Sequence, residues 1–187
     1  MYDEAVKAPL QALLTALEPE FGAAKLFRPY RDVRFSKDKT PYKTAAAAAI
    51  GDDVQGGLYL QLSAAGLVLA GGAHGLATDQ ARRLRAAAAD DLAGPALVAV
   101  LDDLQAAGFA VEGERLKRVP AELRDAGPPD AGREDLRTLK TLFAVRTHAP
   151  APWLHTPEVI EVVRRDWRAV QPLLAWLAQR VGPSRPA

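Results

Sequence analysis

Six cations, Arg28, Arg31, Arg34, Lys37, Lys39 and Lys43, stand in one short stretch with only two acids, Asp32 and Asp38. The local charge is +4 in a chain whose total is +1. Alternation puts Val33 and Phe35 on one side of a strand and Asp32, Arg34 and Ser36 on the other. Lys37, Lys39 and Lys43 crowd the adjoining turn, Lys39-Thr-Pro-Tyr, whose proline supplies a fixed φ. Convergent Arg and Lys donors suit a phosphate or a carboxylate, and Arg grips either with two parallel hydrogen bonds. The two aspartates could hold the cations in place. The same pattern also describes a charged sheet edge, where lysine discourages pairing with other sheets, and ion-pair networks imitate functional clusters.

A second basic run, Gly113-Glu-Arg-Leu-Lys-Arg-Val-Pro120, places Arg115 and Lys117 on one face of a strand and Leu116 and Arg118 on the other. Only part of it can meet one ligand, and alone it reads as a solvated strand. The ligand-binding candidates are therefore Arg31, Arg34, Ser36, Lys37, Lys39 and Lys43, with Lys117 or Arg118 closing the site.

Other chemistries find less support. Gly71-Gly-Ala-His-Gly75 precedes a helix and could offer backbone N–H groups to an anion. It matches neither the dinucleotide nor the Walker fingerprint, and glycines that let the chain turn and pack explain it equally well. His74 is the one group there that titrates near neutrality. His148 and His155 are seven apart across Pro150 and Pro152, which is not helical ligand spacing, so no metal and no cofactor is expected. The pairs Asp52-Asp53, Asp90-Asp91 and Asp102-Asp103 point apart on a strand or helix and read as solubilising. No G-x-S-x-G elbow supports serine catalysis.

The elements that would carry these groups follow from spacing. Val6, Leu10, Leu13, Leu14 and Leu17 form a helical stripe with Pro9 near its start. The Ala45–Ala49 run has helical propensity but sits between strand-like segments, which favours a strand of small side chains. Leu58, Leu60 and Leu62, then Leu67-Val-Leu-Ala-Gly71, make a hairpin turning near Gly66. Thr78 is expected to cap a helix to about Leu92, and Gly94-Pro95 to open another that stops at Gly108. Phe109–Glu112 and Arg115–Val119 read as short strands, residues 120–132 as a surface loop, Arg133–Lys140 as a short helix and Leu142–Thr147 as a strand. Thr156-Pro157-Glu158 starts a last helix, with a 4,3 seam from Ile160 to Val181. That seam could pair with a second copy, but Pro172 favours packing on the parent domain.

The chain has 187 residues, 49% hydrophobic and 25% charged, which fits one self-sufficient domain over 1–181 with a frayed tail at 182–187. It has no cysteine, which removes disulfides, thiol nucleophiles and Cys-ligated metals. MYDEAVKAPL has no signal-peptide layout and no run suffices to span a bilayer, so a cytoplasmic, membrane-free protein is expected. Near-zero net charge argues against a general nucleic-acid binder.

The stretch Arg31-Asp-Val-Arg-Phe-Ser-Lys-Asp-Lys-Thr-Pro-Tyr-Lys43 resembles the signature of the bacterial and fungal family filed as domain of unknown function 2461. Gly57-Leu-Tyr-Leu-Gln-Leu, Gly71-Gly72 and Leu116-Lys-Arg-Val-Pro120 followed by Lys140 add to it, over about residues 5 to 180. The resemblance implies no reaction, cofactor or partner, but it draws attention to 31–43. The family commonly has more residues before the first helix, often with a Trp-Phe pair, so the expectation is either a short gene model or a naturally trimmed member. Its glycine-rich turn often has a further glycine where Ala70 or Ala73 stands.

The expected fold is α+β, a mainly antiparallel sheet from residues 31–72, 109–119 and 142–147 with helices on one face. The expected function is a binding domain for a small anionic ligand, phosphate-bearing compounds included. The alternatives are an enzyme on a phosphorylated substrate, with His74 or an Asp carrying the proton, and a nucleic-acid module stacking bases on Phe35 and Tyr42.

Overall fold

A computed structural model describes residues 3–30, 43–52, 56–124 and 135–185. The strand and turn expected over 31–42 lie outside the described residues.

A π-helical turn, Asp3–Lys7, leads into α1, Ala8–Phe21. Pro9 falls in the first turn, where its missing N–H costs nothing. Leu10, Leu13, Leu14 and Leu17 are all buried, each contributing about 1.5–3 kcal/mol. The helix ends at Gly22, whose N–H bonds the Glu18 carbonyl. Six strands follow in one antiparallel sheet: β1 (Ala24–Leu26), β2 (Ala45–Asp52), β3 (Gly56–Ser63), β4 (Gly66–Ala73), β5 (Ala110–Glu112) and β6 (Leu142–His148). Their order is β1-β2-β3-β4-β6-β5. The fold is α+β.

The alanine run is a strand, because β2 is hydrogen-bonded between β1 and β3 and sheet context overrides helical propensity. Register pairs Ala24 with Ile50 and Leu26 with Ala48. Period-2 burial then sorts the faces. Ala46, Ala48, Leu58, Leu60, Leu67 and Leu69 are buried, whereas Ala45, Ala47, Tyr59 and Gln61 are half-exposed on the other face.

The chain clusters into two compact units, one from residues within 1–51, 58–69 and 147–166, the other from 52–57, 70–146 and 167–187. In the first, Gly66 closes the β3–β4 hairpin at φ 118, and a Cβ there would meet the His148 carbonyl oxygen at 2.0 Å. Only glycine fits. Arg164 bridges Glu20 of α1 at 3.2 Å. Thr156 accepts the Glu158 N–H as the last helix, α4 (Glu158–Arg180), begins. This helix runs through Pro172 to Arg180, in line with the helix expected to about Val181. Val163, Trp167, Val170, Leu173 and Leu177 are buried along it.

In the second unit, α2 spans Thr78–Ala89 and α3 Ala93–Ala106. Ala77, not Thr78, holds the N-cap position, and the Gln80 side chain accepts the Ala77 N–H at 3.0 Å. Asp90 accepts from the Leu92 and Ala93 N–H groups before α3, and Trp176 bonds the Ala93 carbonyl. Arg115–Val119 is not a strand. One bridge, Arg115 to Leu139, is all it forms, and Asp135–Thr138 is a 3-10 turn.

Residues 182–185, where fraying was expected, are held against α2. Asp79 accepts from the Arg185 N–H at 2.8 Å, the Ser184 hydroxyl at 3.0 Å and Arg83 at 2.9 Å. These donors, the Arg185 N–H foremost, hold its carboxyl well below the usual carboxylate range. A depressed folded pKa stabilises above the unfolded value of about 3.9 and is lost as pH falls through the folded one. The Asp79 carboxyl carbon shift should therefore stay fixed at pH 3, where exposed aspartates already titrate. Titration there at the ordinary midpoint would mean the tail is not held.

Candidate functional site

Of the eight candidate residues, Arg31, Arg34, Ser36, Lys37 and Lys39 lie outside the described residues. Lys43 is described, just before β2 in the first unit. Its backbone N–H donates to the Pro29 carbonyl at 2.8 Å, so the two flanks of the basic stretch are joined. Its ammonium lies 5.8 Å from the centre of the Phe27 ring, within cation–π range.

Lys43 and Phe27 line a recess of about 560 Å³ on the half-exposed face of β2 and β3, with Thr44, Tyr59 and Gln61. The Tyr59 hydroxyl donates to Gln61 Oε1 at 2.8 Å, and burial pushes its pKa up. With that oxygen occupied, Gln61 offers its NH₂ donors. The described lining thus presents the Lys43 ammonium, the Gln61 amide and the Thr44 hydroxyl, and includes no carboxylate. A set rich in donors and free of acids suits an anion.

A larger recess, about 830 Å³, opens on the opposite face of the same strands, between α1, the strands and residues 150–160. Lys43, Thr44 and Ala45 line both.

Lys117 and Arg118 are exposed in the second unit. Neighbouring charges there are already matched. Lys140 bonds Glu114 at 2.9 Å, and Arg115 faces Asp135 at 3.7 Å. Lys140 first, then His74, draw the Glu114 carboxyl below its ordinary range. His74 itself leans on the Phe143 ring, 5.3 Å between centres.

Sequence reasoning missed one polar pair. His148 Nε2 lies 2.6 Å from Asp166 Oδ2, with only 1% of the Asp166 side chain exposed. Arg165 donates to the other oxygen at 2.9 Å, and Trp153 meets the imidazole edge-on. The available signal was Asp166 itself, an acid inside the apolar stripe of α4 between Val163 and Trp167. His155 instead lines the larger recess. Among the described residues no group of three or more His, Cys, Asp or Glu could hold a metal ion, and no helix is long and apolar enough to cross a membrane.

The family model described as Conserved hypothetical protein (DUF2461) matches residues 1–176. The chain belongs to this family. No curated protein and no solved structure matches it. DUF2461 membership thus covers both recesses and the whole basic stretch, and names no reaction for them.

Proposed function

We propose that this DUF2461 chain is a cytoplasmic binding domain for a small anion, with phosphate-bearing compounds the best match. Lys43 is the described anchor, and Arg31, Arg34, Ser36, Lys37 and Lys39 supply further donors. The observation supporting this is the recess beside Lys43 and Phe27, whose described lining has donors and no acid, at the joined flanks of a +4 stretch. Lys117 and Arg118 are not among the described residues that line either recess.

Isothermal titration with inorganic phosphate at low salt tests the reading. Lys43→Ala should weaken binding about tenfold or more, the worth of one charged hydrogen bond. Joint Arg34→Ala and Lys39→Ala should abolish it. Both variants should keep the unliganded melting temperature. No phosphate binding by the native chain would sink the reading, and loss of folding in the double variant would make those residues structural.

The enzyme reading draws on His74 acting electrostatically on Glu114 beside Lys140. It requires turnover of a phosphorylated compound, which a binding domain does not give. The nucleic-acid reading ranks last. Phe35 and Tyr42 lie outside the described residues, and it demands binding that collapses steeply with salt.

A further inference from the structure

We propose that the anion is the head of an amphipathic molecule, an alkyl carboxylate or alkyl phosphate whose chain fills the larger recess of the first unit. This rests on the anion reading of Lys43 and adds the apolar half of the ligand.

The recess is built for hydrocarbon. Its floor is Leu13, Leu60 and Leu67, at 8%, 0% and 1% exposure, and its walls include Val6, Leu154 and Ile160, all half-buried. At about 830 Å³ it lies within the range that takes small organic ligands whole. Val6, Leu154 and Ile160 leave apolar surface partly open to water, and covering it is favourable in proportion to area.

The polar groups of the described lining are exposed or half-exposed. Ser63 Oγ accepts the Ala65 N–H, and Thr156 Oγ1 bonds the Trp153 carbonyl, so both have protein partners. Lys43, Thr44 and His155 remain, all exposed, and no side-chain hydrogen bond is recorded for any of them among the described residues. The described lining of this recess includes no carboxylate either. Half-buried apolar walls with exposed donors beside them are complementary to a chain with an anionic end. A neutral hydrocarbon would leave the donors unmatched, and a bare anion would leave the walls wet.

Lys43 connects this recess to the donor-rich one, because the start of β2 borders both. A head at Lys43 therefore draws on the same ammonium that anchors phosphate.

The test titrates the full chain with acetate, octanoate, decanoate, octyl phosphate, decanol and inorganic phosphate, all below micelle-forming concentrations. Affinity should rise about three- to fourfold for each added methylene. Decanoate should bind at least tenfold tighter than decanol, and Lys43→Gln should erase that difference. Ala12→Phe, at an exposed α1 position facing the recess, should weaken decanoate at least tenfold and leave inorganic phosphate unchanged. Ala46→Leu repeats the block from β2. Phosphate binding with no dependence on chain length would overturn the amphipathic inference and leave the anion reading standing. Failure of every anion would end both. Decanol binding as tightly as decanoate would make the recess a purely apolar site and overturn the headgroup assignment. A native dimer that Ala12→Phe renders monomeric would show a second copy covering the recess, and would overturn the ligand as well.

Discussion

Gly72→Ala is expected to unfold the protein or nearly so. Gly72 sits in β4 at φ 146, and a Cβ there would lie 2.4 Å from the Leu142 carbonyl oxygen and 2.4 Å from the Phe143 Cα. Both are backbone atoms of β6, so no side chain can swing aside. Backbone strain and overpacking each cost about 1–3 kcal/mol, and together they consume much of the typical net stability of about 5–15 kcal/mol. Urea denaturation measures it. A midpoint within error of the native protein would show that β4 and β6 do not approach this closely. The result also decides what the glycine pair is for. At Gly72 the requirement is the passage of a neighbouring strand, which accounts for the residue without any ligand.

His148→Ala should destabilise the chain by about 3–5 kcal/mol, because it removes the imidazole from its pair with the buried Asp166 carboxylate. Arg165 still reaches the other oxygen, but its own side chain is largely exposed and screened. Asp166→Ala removes the carboxylate, and the double variant should cost clearly less than the two single losses added together. That non-additivity, read from a double-mutant cycle in urea, is the signature of a direct pair. Additive losses would mean the two residues act independently.

The helices were largely legible because each rests on local spacing. The leucines of α1, the Gly94-Pro95 start of α3 and the Thr156-Pro157-Glu158 start of α4 are written within a turn or two of chain. The β3–β4 hairpin was legible for the same reason, with alternation on both sides of Gly66. Arg115–Val119 misled, since a basic run with alternating Leu116 and Val119 imitates a strand. Instead the Leu116 N–H donates to the Thr138 carbonyl, the Lys140 N–H donates to the Glu114 carbonyl just before the run, and these frame one bridge between Arg115 and Leu139. The last helix continues through Pro172, as its seam to Val181 implied. A helix loses one backbone bond at proline, and the apolar burial of Val170, Leu173 and Leu177 around it is large enough to offset that loss.

Charge clustering marked the stretch around 31–43, and the alternation of Tyr59 and Gln61 against Leu58 and Leu60 marked the polar side of β3. Neither could place Phe27 beside Tyr59, because β1 is three residues long and carries no periodic signal. Chain order alone therefore settled the α+β class, most helices, the hairpin and the basic character of one segment, all of which depend on neighbours a few residues away. The two recesses meeting at Lys43, the His148–Asp166 pair and the passage of β6 over Gly72 were decided only in three dimensions. Each joins residues from separate segments of the chain, and no local pattern records which distant residue will arrive.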